Sequence, residues 1–135
     1  MPDALTLATA FSCLFFAVAF VQSGSDKVFD WSGNAEWLAD HFAESPLKGR
    51  ATALLAVVTV VELAAGLACL AGVAFSLSPD PGIVPTVGLG LSCLALTMLF
   101  FGQRVAKDYP GAAVLAAYFA VALAGLLATG LSARA

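Results

Sequence analysis

Charge is the scarcest commodity in this chain. Asp, Glu, Lys and Arg make up only 11% of its 135 residues, hydrophobic residues make up 61%, and the mean hydropathy is +0.94. A water-soluble domain covers itself with a surface that is about 25–35% charged, so an ordinary soluble fold is excluded. The six basic residues are also too few and too scattered to grip a phosphate backbone, which excludes nucleic acid as a partner. Cysteine occurs three times, as Cys13, Cys69 and Cys93, each alone in an apolar stretch; His41 is the single histidine. No CxxC pair, zinc-ligand spacing or axial histidine pair can be assembled from them, so no metal site and no intrinsic cofactor are expected. There is no phosphate loop, dinucleotide fingerprint or serine nucleophile elbow. Nor does any Lys or Arg precede Lys27, so the cationic start of a secretory signal is missing and the first apolar segment is expected to be a mature span.

What the chain does have is long uncharged runs: residues 4–25, 51–61, 63–79, 81–103 and 109–133. A helix rises about 1.5 Å per residue, so about 20 apolar residues cross a hydrocarbon layer of about 30 Å. Four spans are expected, at about 5–22, 51–75, 83–102 and 112–130. The Val-rich part of the second would favour a strand in water, but a backbone in lipid must bond internally, and the alternation of a transmembrane barrel is absent. Ser78-Pro79-Asp80-Pro81-Gly82 and Tyr109-Pro110-Gly111 read as turns. The expected fold is an all-α membrane protein, an antiparallel four-transmembrane-helix bundle forming one domain.

Between the first two spans lies the one polar stretch large enough to form a feature. Trp31, Ala35, Leu38 and Phe42 recur at helical spacing and oppose Glu36, Asp40 and Glu44. A short amphipathic or re-entrant helix over about 32–44 follows, capped by Ser32 or Asn34, with Trp31 and Trp37 at headgroup depth. Lys27, Lys48, Arg50, Arg104 and Lys107 fall at the end of the bundle that holds this helix, and Arg134 alone falls at the other. The positive-inside rule then places both termini on the non-cytoplasmic side of a cell inner membrane.

Glu62 is the sharpest candidate site residue. It lies about 17 Å into its span by helical rise, and a carboxylate at that depth faces a bundle interior, a cavity or a partner. Lys27, Arg104 and the neighbouring Gln103 approach from the same end, so Glu62 is expected in a polar node with Lys27 or Arg104. That node serves either to fix helix order or to handle protons. Gly66, Gly88, Gly90 and Gly125 are expected at seams where helices approach closely.

Three segments carry a family resemblance: Phe20-Val21-Gln22-Ser23-Gly24-Ser25-Asp26-Lys27, Val61-Glu62-Leu63-Ala64-Ala65-Gly66-Leu67, and Phe101-Gly102-Gln103-Arg104-Val105-Ala106-Lys107-Asp108-Tyr109. In order and spacing they resemble the DoxX-like membrane proteins. The resemblance implies a four-helix membrane fold in which Gly24/Lys27 and Glu62/Gly66 fall on recurrent glycine-lysine and glutamate-glycine motifs. Some relatives are named as subunits of quinone-linked oxidoreductases, thiosulfate to quinone in particular. Two functions are therefore expected in competition. One is an accessory subunit packed in lipid against a larger respiratory or photosynthetic membrane complex. The other is the membrane component of a quinone-linked oxidoreductase, with quinone as the candidate ligand. The first is preferred on sequence, because electron transfer needs a carrier and these residues offer none.

Overall fold

In the computed structural model, which describes all 135 residues, the chain is entirely helical: α1 (Ala4–Phe29), α2 (Trp31–His41), α3 (Ala51–Ser76), α4 (Val84–Val105) and α5 (Tyr109–Ser132). All but α2 are long and apolar enough to cross a membrane. They alternate in direction and pack in a ring of order α1, α3, α4, α5 that α5 closes against α1, with α1 and α4 touching across the short diagonal. The antiparallel four-span bundle is thus the observed fold. Its centre is filled by Phe16, Phe20, Leu89 and Leu96 with Cys13 and Cys69, all buried. Hydroxyls inside the bundle are satisfied locally: Thr9 donates to the Leu5 carbonyl, Thr59 to Leu55 and Ser92 to Gly88. No buried side-chain polar atom lacks a partner, as a medium without water demands.

The main departure from expectation is the length of α1, which runs seven residues past position 22 to Phe29. Ser23 to Lys27 looks like a loop in sequence, but Ser23 and Lys27 find a partner in Glu62 of the neighbouring span and the backbone remains helical. Asp30 then does two jobs. Its backbone N–H closes α1 on the Asp26 carbonyl, and its side chain accepts from the Gly33 N–H at 3.3 Å to cap α2. Neither Ser32 nor Asn34 caps α2; both lie inside it. The third connection is also shorter than expected. Pro110 and Gly111 belong to the first turn of α5, where a missing proline N–H costs nothing. The turn itself is Ala106–Asp108, with Lys107 in the left-handed region at φ 60. The Asp108 N–H reaches the Gln103 carbonyl and the Lys107 N–H reaches Arg104, which closes α4 in a Schellman arrangement.

Close backbone approach fixes the register of α1 on α3 and of α3 on α4. A Cβ at Gly66 would lie 2.8 Å from the backbone nitrogen of Val21, and one at Gly88 would lie 2.8 Å from that of Cys69. At Gly125 it would meet Ser12 at 2.7 Å. Gly90 corrects the fourth expectation: a Cβ there would meet nothing within 4 Å, because the residue faces away from the bundle.

Candidate functional site

The register of α1 against α3 creates the site. Gly24 lies opposite Leu63, and Val21 lies opposite Gly66, so in an antiparallel pair the end of α1 at Phe29 falls level with the region of Val58. The first two turns of α3, from Ala51, therefore extend about 10 Å beyond α1. The short helix α2 lies over this uncovered stretch and packs on α3. Between α2, α3 and α4 it leaves a cavity of about 350 Å³.

Lys27, two residues from the end of α1, borders that cavity and faces inward to Glu62. Its Nζ lies 2.9 Å from Glu62 Oε2. Ser23, one turn earlier on α1, completes a triangle: Lys27 Nζ donates to Ser23 Oγ at 2.7 Å, and Ser23 Oγ donates to the two Glu62 oxygens at 3.2 and 3.3 Å. Glu62 is 1% exposed, so its charge is compensated wholly within the protein. Lys27 reaches Glu62 directly because α1 stays helical past position 22.

Of the residues expected in one node, the structure brings Lys27 and Glu62 together and places Gln103 and Arg104 elsewhere. The Arg104 guanidinium sits over the Tyr109 ring, 4.5 Å from its centroid, an arrangement set by the tight turn between α4 and α5. Gln103 pairs with His41, with its Oε1 2.7 Å from His41 Nε2, and this bond ties α2 to the end of α4. The His41 ring stacks on Trp37 at 4.6 Å. Both rings border the cavity, as do Leu38 and Phe42 from the expected inner face of α2. Phe42 is buried and closes over Gly102, while Trp31 does not line the cavity and is 36% exposed. Ser23 and His41 are the two residues that sequence reasoning passed over. Ser23 carried a signal, since it stands four residues before Lys27 and shares its helix face. His41 carried none that identified its partner, which lies 62 positions away.

The cavity is lined mainly by apolar side chains, among them Leu54, Val58, Met98 and Leu99, with Lys27, Asn34, His41 and Gln103 as its polar side chains. It falls within the roughly 300–1,000 Å³ range of small-molecule sites, which are apolar with a few placed polar groups. The opposite end of the bundle differs in character. A more polar hollow of about 690 Å³ opens there between the chain termini and residues 76–86, with Asp80 as its one charged side chain. No three His, Cys, Asp or Glu side chains come together anywhere in the chain.

A bundle of four spans with a capping half-helix and a sealed lysine–glutamate pair defines a class of small polytopic membrane protein. The model of the DoxX family matches residues 10–102, which contain most of α1, all of α2 and α3, most of α4 and the site residues Ser23, Lys27, His41 and Glu62, and stop one residue short of Gln103. The chain belongs to the DoxX family. No curated protein and no solved structure matches it.

Proposed function

We propose that this protein is the membrane component of a quinone-linked oxidoreductase, and that the α2–α3–α4 cavity receives the quinone ring. The observation that carries this reading is the cavity itself, mainly apolar and bordered by Lys27. A quinone is a flat apolar ring with oxygens at opposite ends, and the residues present suit it: apolar walls for the faces and Lys27 as an N–H donor to one oxygen. Its isoprenoid tail would leave between helices into lipid. Once bound, the quinone would supply two-electron acceptor chemistry; this chain's residues would hold and orient the ring and exclude water from it. The electrons would come from a partner subunit that carries its own redox centre. This reading keeps the expected membership of a larger complex and adds ligand binding to it. Five of the six basic residues lie at the cavity end, which orients that end to the cytoplasm of a cell inner membrane and both termini outward.

Trp37 borders the cavity and provides the assay. In protein carrying Trp31→Phe, reconstituted in nanodiscs, a benzoquinone with a ten-carbon tail should quench Trp37 fluorescence saturably. Val58→Phe, which fills the cavity from α3, should abolish the saturable part. Quenching that rises linearly with quinone and ignores Val58→Phe would refute the reading, since it would report lipid-dissolved quinone alone.

A further inference from the structure

We propose that Glu62 is a buried counter-charge that makes the cavity select neutral amphiphiles bearing an oxygen acceptor, and that without it the same cavity would take organic anions. The inference rests on the cavity being the ligand site and goes on to name the charge class of what it admits.

Lys27 is the only charged side chain bordering the cavity. Taken alone, an ammonium in an apolar cavity with no other charge would attract carboxylates and sulfonates, the opposite of what a neutral ring requires. Glu62 does not border the cavity, and its side chain is 2% exposed against 17% for that of Lys27. The negative charge thus lies behind the positive one as seen by a ligand. Because the pair is in contact at 2.9 Å, a ligand meets a nearly neutral dipole. Its positive end projects one usable donor, for the following reason.

An ammonium has three N–H groups and no acceptor. One lies on Glu62 Oε2 at 2.9 Å and one on Ser23 Oγ at 2.7 Å. The third is left with the Ser23 carbonyl at 3.5 Å, at the limit of hydrogen-bond range. This weakly used N–H is the one a ligand oxygen can take over without breaking the ion pair. The preferred ligand is then neutral and offers an acceptor at that point, as a carbonyl or hydroxyl oxygen does. An anion would have to share Lys27 with Glu62, and two carboxylates drawn to one ammonium in a low-dielectric site repel each other strongly. Ser23 keeps this arrangement in place, since it accepts from Lys27 while donating its single proton to Glu62 and so has no proton free for a second anion.

The test uses a matched pair of probes that do not depend on quinone chemistry: bromophenyl compounds with a ten-carbon tail carrying either a hydroxymethyl group or a carboxylate. Bromine quenches Trp37 on contact, and the Trp31→Phe protein in nanodiscs reports each directly. The wild-type cavity should take the alcohol at least about tenfold more tightly than the acid, and Glu62→Gln should reverse that order. Comparing the ratio between variants cancels differences in lipid partitioning. A wild-type preference for the acid would overturn the proposal. So would a folded, monodisperse Glu62→Gln protein whose ratio is unchanged, or one that loses both probes, which is the outcome expected of a purely structural carboxylate. Should Glu62→Gln fail to accumulate, the wild-type ratio decides alone once each probe's affinity is corrected for its partitioning into protein-free nanodiscs. A tailed benzoquinone that quenches normally while the alcohol-to-acid ratio fails removes this inference and leaves the quinone reading standing. The correct ratio with no quinone binding removes the quinone reading and leaves the charge selection.

Discussion

Alanine substitutions at Gly88 and Gly90, two residues apart on α4, should move stability in opposite directions. At Gly88 the added methyl would lie 2.8 Å from the Cys69 nitrogen and 3.0 Å from both the Ala68 carbonyl carbon and the Cys69 Cα. Ordinary contact between such atoms is about 3.5–4.0 Å, so the overlap approaches an ångström. All three atoms are backbone, and no rotamer change can relieve it; α4 must move away from α3 as a body. Overpacking of this kind costs about 1–3 kcal/mol, and the loosening also strips contact from Leu89 and Ser92, both 0% exposed beside it. Alanine regains up to about 1 kcal/mol of helix propensity over glycine, which leaves Gly88→Ala destabilised by about 1–2 kcal/mol. At Gly90 the methyl meets nothing within 4 Å, so only the propensity gain remains and the variant should be neutral or more stable by up to about 1 kcal/mol. Thermal unfolding in mild detergent, read by circular dichroism, resolves a difference of that size. Equal midpoints for the two variants would refute the packing of α3 on α4 described above.

Lys27→Met leaves Glu62 buried without its partner and should cost about 3–5 kcal/mol, while the double variant Lys27→Met/Glu62→Gln should recover most of that loss in the same unfolding assay. Gln103→Leu removes the bond from His41 that ties α2 to α4, a loss of about 0.5–1.5 kcal/mol; amide exchange should rise across α2 and stay unchanged in α3. Lys107→Gly relieves a left-handed residue in the turn between α4 and α5 and should raise the unfolding midpoint by an amount equivalent to about 1 kcal/mol.

The four spans were legible in the sequence because lipid leaves the backbone so few choices: a run of about 20 apolar residues must be a helix. The pairing of Glu62 with a cation from the α2 end was legible for a related reason, since an unpaired carboxylate at that depth is untenable. Which cation pairs with it was not. Lys27 and Arg104 enter from the same end, and the choice between them depends on α1 remaining helical to Phe29 while the tight turn after α4 turns Arg104 onto Tyr109. Local pattern reads Ser23–Lys27 as a loop, because it cannot register that Ser23 will find Glu62 39 positions away. The cavity was beyond sequence reading altogether. It follows from an offset in register, set by the contact of Gly66 with Val21 and of Gly24 with Leu63, and no property of either segment alone encodes that offset. Small residues signal seams only statistically, and so Gly90 was grouped with Gly88 although the two point in different directions.

The most direct test of the functional account is photolabelling with an azido-benzoquinone carrying a ten-carbon tail, followed by mapping of the adducts by mass spectrometry. The account predicts adducts on Trp37, Leu38 and Phe42 of α2 and on Met98 of α4, competed away by excess unmodified quinone and absent from Val58→Phe protein. Labelling spread over the lipid-facing residues of α5, such as Val114 and Tyr118, and indifferent to both competitor and Val58→Phe, would contradict it.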